Sequence, residues 1–252
     1  MTTKTTDKYF DILNINPQHF SSIDLLNNIV FQHQQTICFE TATKIKDGEK
    51  CIPTTLDNYL SQVTNIGYGG TCFAMSWTLL HIFENLGHEV RILFLEPDHY
   101  AITLVVENIE YFVDVSFWAP LFKMYPLRQK WSVEHHGFTI TWNYTESHTH
   151  LMRNGHIAKT WKGQSISLPQ FKERWIKSHD NDSFFNSNVC INRWIDKDHF
   201  AMCINNNFSI QRGNKFIEQK ELKDDDLKRV LSSVFNVDPS IFLESLEIVK
   251  SK

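Results

Sequence analysis

Cys72 stands directly behind Gly69-Gly70-Thr71 and opens the run Phe73, Met75, Ser76, Leu79, Leu80, Phe83 and Leu86, which recurs at three- and four-residue spacing. A cysteine in the first turn of a helix lies beside unpaired backbone N–H groups and the positive end of the helix dipole, and both stabilise a thiolate. That is the chemistry of a nucleophile. Taken singly, Cys72 has an equally simple use as a small buried apolar residue.

His99 and Asp114 extend the pattern. They lie on two neighbouring predicted strands joined by the turn Glu107-Asn108-Ile109-Glu110. If the loop is 107–108, Asp114 faces Ala101; if it is 108–109, it faces Thr103. In both registers Asp114 shares a sheet face with His99, because side chains alternate along a strand. An ionisable group inside Phe112-Val-Asp-Val-Ser-Phe117 needs a partner or loses its charge. Each residue alone reads more simply, His99 as a strand-start loop histidine and Asp114 as an exposed alternate position. Together, the order Cys, His, Asp describes a thiol activated by an imidazole that a carboxylate orients.

The elements that must hold these groups are legible in part. Residues 1–62 read as helical, with Leu25, Leu26, Ile29, Val30 and His33 on one face, and Gly87 is placed to end the helix that Cys72 begins. Three β-like runs follow, 90–95, 100–106 and 111–117, consistent with an antiparallel meander. The segment 119–180 is irregular, apart from a strand at 138–142 and a helix opening at Pro169. Runs at 189–195, 199–204 and 207–211 predict further strands, and a helix from Asp224 to Phe235 closes the chain, its Asp224-Asp225-Asp226 start suited to a helix N-terminus.

Bulk properties exclude several classes. Hydrophobic residues make up 42% of the 252 and charged residues 21%, a balance that favours a globular core over disorder. The net charge of −4 supplies no global attraction for nucleic acid or anionic lipid, so neither is expected as a partner. No leader-like apolar segment opens the sequence and no stretch approaches the ~18 apolar residues of a membrane span. Five scattered cysteines without a CxxC pair argue against a disulfide framework and a cysteine-based zinc site, so a reducing cytoplasm is the expected location.

Tyr68-Gly-Gly-Thr-Cys72, then His99, then Tyr111-Phe-Val-Asp-Val115 resembles the arylamine N-acetyltransferases, whose motifs read RGGxC, a lone His and a VDVGFG-like strand. Phe31-Gln-His-Gln34 with Cys38-Phe-Glu40 is similar to that family's HQ…PFEN segment, Asp182-Ser-Phe-Phe-Asn186 to its SPxSxF stretch, and Lys220-Glu-Leu…Leu231-Ser-Ser-Val-Phe235 to its C-terminal LTEEE…L..IF segment. The resemblance implies an α+β fold of three parts: a helical bundle over 1–87 carrying the nucleophile, an antiparallel β-barrel-like domain over 88–180 carrying His99 and Asp114, and an α/β lid over 181–252. It also implies a Cys72, His99 and Asp114 triad, acetyl-CoA as co-substrate, no metal, and acetyl transfer through a Cys72 thioester to a small arylamine, hydrazine or related amine. By family position Phe39 and Phe117 would line the acceptor pocket, although ordinary core packing would equally account for them.

The sequence also departs from the family motifs. Tyr68 stands where Arg is usual, which leaves Glu40 without its expected ion-pair partner. Ala74 and Ser76 replace polar residues, Ser116 and Trp118 replace glycines, and the connection Leu95-Glu-Pro-Asp98 before His99 is short. Trp118 is expected to narrow the pocket. His135, His136, His148, His150 and His156 with Glu134 and Glu146 offer metal-ligand types but no fixing third-ligand pattern, so they read as loop histidines. Two other readings share these residues: a thiol hydrolase or amide synthase with a different donor or acceptor, and an inactive relative that binds a small molecule or protein.

Overall fold

The computed structural model describes residues 4–180 and 182–251. Met1–Thr3, Asn181 and Lys252 lie outside them, and with them the outer bounds at 1, 181 and 252 of the expected domains.

Helical periodicity builds the N-terminal part. Helix α1 (Lys4–Leu13) buries Tyr9, Phe10 and Leu13, and α2 (Ser22–Thr36) buries Leu26, Ile29, Val30 and His33, its N-terminus capped by the Ser21 hydroxyl accepting from Asp24 N–H. A two-residue strand β1 (Phe39–Glu40) and a short helix α3 (Ala42–Asp47) precede α4 (Leu56–Ile66). Gly67 ends α4 at φ +82°, a conformation glycine adopts without a Cβ clash. Helix α5 (Cys72–Asn85) is buried almost all round, from Cys72 through Leu80 and again at Ile82 and Phe83. Such a helix is central rather than peripheral.

Helix α5 packs on a meander of β2 (Val90–Leu95), β3 (His99–Val106) and β4 (Ile109–Val113). Val106 pairs with Ile109, so the loop is Glu107-Asn108, with both residues at positive φ as a two-residue hairpin turn requires. The short strands β5 (Tyr125–Pro126) and, later in the chain, β10 (Ser165–Ile166) complete a sheet ordered β10-β2-β3-β4-β5. Strands β6 (Trp131–His135), β7 (Phe138–Tyr144), β8 (Thr149–Arg153) and β9 (His156–Trp161) form a separate antiparallel sheet. One face of the meander buries Tyr100, Ile102 and Leu104 against the helices, and the other buries Leu93, Ala101 and Phe112 against Trp142, Leu151 and Trp161. The two sheets touch in backbone pairing at Glu96 and Thr160, and are not joined into one closed barrel.

Helix α6 (Leu168–Lys177) begins with a capping box between Ser167 and Gln170 and has Pro169 in its first turn. After the short α7 (Phe184–Ser187) come β11 (Cys190–Trp194), β12 (Phe200–Ile204), β13 (Asn207–Arg212) and β14 (Lys215–Glu221), then α8 (Asp224–Ser233) and α9 (Pro239–Lys250). Strand β1 pairs with β11 through Phe39↔Asn192 and Glu40↔Ile191, so the N-terminal part contributes an edge to this last sheet. Among the described residues, no helix is long and apolar enough to cross a membrane.

Helix α9 and strands β6, β8, β9 and β14 lie where periodicity predicted no element. Strand β14 leaves Phe216 and Ile217 exposed, and β9 leaves Ile157 exposed, so neither shows clean alternation. Helix α9 starts with Pro239 after an Asp238 cap, a start signal that is local to the sequence.

Candidate active site

The turn before Cys72 is held from several sides. A Cβ on Gly69 would lie 2.3 Å from Ile37 Cγ2 and 2.5 Å from the Cys38 carbonyl, so only glycine fits there, and Gly70 takes φ +78°. The Tyr59 hydroxyl donates to the Gly69 carbonyl at 2.9 Å. Gly70 N–H donates to Glu40 Oε1 at 2.9 Å, while Glu40 N–H returns a bond to the Gly70 carbonyl at 2.9 Å. Glu40 is fully buried and accepts two more bonds, from Thr43 N–H at 2.8 Å and the Thr43 hydroxyl at 2.6 Å. Burial pushes its carboxyl up to about 7, with the Thr43 and Gly70 bonds opposing the rise. Hydrogen bonds thus occupy the Glu40 carboxyl, which makes no ion pair among the described residues. Tyr68 itself is buried, and its hydroxyl donates to the Asp238 carbonyl at 2.7 Å.

Cys72 is the first residue of α5, 8% exposed, and Thr71 makes no side-chain cap bond. Among the described residues no side chain accepts from the first-turn N–H groups, a geometry that can hold a developing oxyanion. His99 opens β3, and Asp114 follows directly after β4, whose last pair, Val113 with Ile102, fixes the 107–108 register. His99 Nε2 lies 2.6 Å from Asp114 Oδ2. The other carboxylate oxygen accepts from Ser116 N–H at 2.9 Å and the Ser116 hydroxyl at 3.2 Å. Burial alone would lower the His99 pKa. The charge and hydrogen bond of Asp114, followed by the hydrogen bond and charge of Cys72, outweigh it and lift the imidazole to about 9. With Nε2 engaged by Asp114, Nδ1 is left for the thiol. Such an arrangement can keep a thiolate beside an imidazolium and pass a proton between them.

Cys72 and His99 open into a cavity of about 410 Å³. Phe39 and Phe117 both line it, together with Trp118 and Phe185. Trp118 packs edge-on against Phe39 at 5.6 Å and against Phe185 at 6.0 Å between ring centroids. It does so at φ +55°, a strained backbone for so bulky a residue. Arg153 supports this wall, donating to the Phe117 carbonyl at 2.9 Å and the Trp118 carbonyl at 3.2 Å.

Three residues at the site are not marked by their local sequence. Ser116 stood out only as a lost glycine, yet it fixes Asp114. Arg153 and Lys44 line the cavity from β8 and α3, and nothing in their local patterns separates them from solvated surface cations. Of the histidines, His135 and His136 meet Asp198, with potential ligand atoms within 4.8 Å of one another, while His148 packs beside His150 instead. The acidic start of α8 is solvent-exposed.

A sequence model of a family described as N-acetyltransferase matches residues 22–241. Comparison with curated proteins by sequence finds no match. Among solved structures, an arylamine N-acetyltransferase from Salmonella typhimurium is similar over 100% of both chains, with a TM-score of 0.86 at 16% identity. One from Mycobacterium smegmatis covers 96% of this chain and 97% of its own, with a TM-score of 0.80 at 15% identity. A Bacillus cereus arylamine N-acetyltransferase, described as having a unique Cys-His-Glu catalytic triad, covers 94% of this chain and 99% of its own, with a TM-score of 0.79 at 17% identity.

Proposed function

The chain belongs to the arylamine N-acetyltransferase family, and from that premise we propose that it moves an acetyl group from acetyl-CoA to a small arylamine, hydrazine or related amine, using Cys72, His99 and Asp114. The observation that carries this reading is the chain of contacts from Asp114 through His99 to Cys72 at the head of one apolar-walled cavity.

In the proposed reaction the Cys72 thiolate attacks the acetyl carbonyl carbon, and first-turn N–H groups of α5 hold the oxygen as it becomes negative. The carbon–sulphur bond to CoA breaks, the CoA thiolate takes the proton from His99, and Cys72 keeps the acetyl group as a thioester. The amine then attacks that carbonyl while His99, now neutral, accepts the amine's proton, and the Cys72 thiolate leaves. Asp114 keeps the ring oriented and the imidazolium favourable throughout. Phe39 and Phe117 form the apolar wall for the acceptor ring. Helical N-terminal, strand-rich middle and C-terminal parts would each contribute, with β1 tying the first to the last. A reducing cytoplasm suits a working thiol, and all five cysteines are free.

Incubation with acetyl-CoA tests this directly. The expected outcome is an acetyl-sized mass increase located at Cys72, absent in Cys72→Ala. If no mass is added while iodoacetamide still alkylates Cys72 rapidly, the donor assignment falls and the thiolate survives.

A further inference from the structure

Lys44 on α3 lines the same cavity as Cys72 and is 9% exposed. Among the described residues its ammonium has no hydrogen-bond or ion-pair partner. The nearest carboxylate in sequence, Glu40, already accepts from Thr43 and Gly70. Asp98, the acid that lines the cavity, is bound to Lys159. Burial lowers the Lys44 pKa, and the charges of Cys72 and Cys51 oppose that fall. The ammonium nitrogen is not among the enclosed polar atoms, so it opens onto the cavity, where an anion can meet it.

The surroundings point the same way. Arg174 of α6 also lines the cavity, stacked 4.2 Å over Phe94 and without a carboxylate partner among the described residues. Among the described residues the cavity wall therefore carries Lys44, Arg153, Lys159, Arg174 and Lys177 against the single carboxylate of Asp98.

We propose that Lys44 is the charged centre of an anion subsite beside Cys72, fitted to a carboxylate carried within a few bonds of the groups being joined there. This rests on Cys72 being the nucleophile of the proposed reaction. The phosphates of CoA do not fit the description, because the whole pantetheine arm separates them from the thioester. The carboxylate belongs either to the acyl group, as in the thioester of a dicarboxylic acid, or to the acceptor, as in an aromatic amine bearing an acid group.

Alkylation of Cys72 by iodoacetate and by iodoacetamide, read at the Cys72 peptide by mass spectrometry, isolates the carboxylate from everything else. The expected result is a ratio of iodoacetate to iodoacetamide rates that falls about tenfold in Lys44→Met and is largely restored in Lys44→Arg, as loss of one nearby opposite charge predicts. An unchanged ratio in Lys44→Met overturns the subsite while leaving the nucleophile standing. Failure of both reagents at Cys72 overturns the nucleophile and the subsite together. Two further arms identify the source. Preferential loss of Cys72 acylation by succinyl-CoA relative to acetyl-CoA in Lys44→Met assigns the carboxylate to the acyl group. Preferential loss of turnover with 4-aminobenzoate relative to aniline assigns it to the acceptor.

Discussion

His99 Nε2 and Asp114 Oδ2 meet at 2.6 Å, with the carboxylate side chain fully enclosed and the imidazole side chain 8% exposed. A charged pair in that setting is strong only while both partners remain, since removing one leaves the other buried and uncompensated. Asp114→Asn keeps the shape of the site but removes the charge that favours imidazolium and can present an N–H to Nε2. Acetylation and iodoacetamide alkylation of Cys72 are expected to slow by about 10² to 10⁴-fold near neutral pH. Unchanged rates in both assays would mean that the pair does not activate the thiol.

The raised His99 pKa also sets a pH window for stability. The folded state holds its proton up to about 9, whereas an unfolded histidine releases it near its ordinary value of 6.5. Between these values the native state binds more protons, so this contribution is complete below about 6.5 and is lost as pH rises through about 9. Urea unfolding from pH 6 to 10 is expected to show a decline that is shallower in Asp114→Asn. Equal slopes in the two proteins would contradict it.

His33 acts in the opposite direction. It is fully buried, its Nδ1 lies 2.7 Å from the Tyr9 hydroxyl, and burial lowers its pKa to about 3. Below about 6.5 the unfolded chain takes up a proton that the folded chain refuses, so stability falls as pH drops from about 6.5 toward 3, at up to about 1.4 kcal/mol per pH unit. His33→Phe is expected to flatten the acid side of the profile relative to wild type, whatever it does to the absolute value. A wild-type acid limb equally steep in the variant would assign the loss elsewhere.

Lys44→Met replaces an unpartnered ammonium with an apolar chain of similar length. Thermal unfolding is expected to show a modestly higher Tm, because burial disfavours the charged form of Lys44 and the apolar chain is free of that cost. A clear drop in Tm would mean that the lysine has a stabilising partner.

Trp118→Gly places glycine where φ is +55°. Relief of about 1 kcal/mol of backbone strain offsets part of the lost packing against Phe39 and Phe185. The cavity widens, so turnover of a bulky arylamine is expected to rise relative to that of a small one. Parallel changes for both amines would show that Trp118 does not limit the pocket.

Local chemistry carried a large part of this protein's description. The glycine turn before Cys72, the apolar period of α5 and the alternation around His99 and Asp114 are written in short stretches of chain, because helix starts, hairpins and strand faces are set by neighbouring residues. Parity alone put His99 and Asp114 on one face. The Glu107-Asn108 turn then fixed the register, which ends with Val113 opposite Ile102, one residue before Asp114. What tertiary structure decided depends on groups far apart in sequence: Glu40 receiving Gly70 N–H in place of an ion pair, Arg153 bracing Trp118, and Lys44 enclosed beside Cys72 without a counter-charge. A lysine between Thr43 and Ile45 looks like any solvated cation in the chain. Burial is a property of everything packed around a residue, and only the folded protein turns that residue into a charge waiting for a partner.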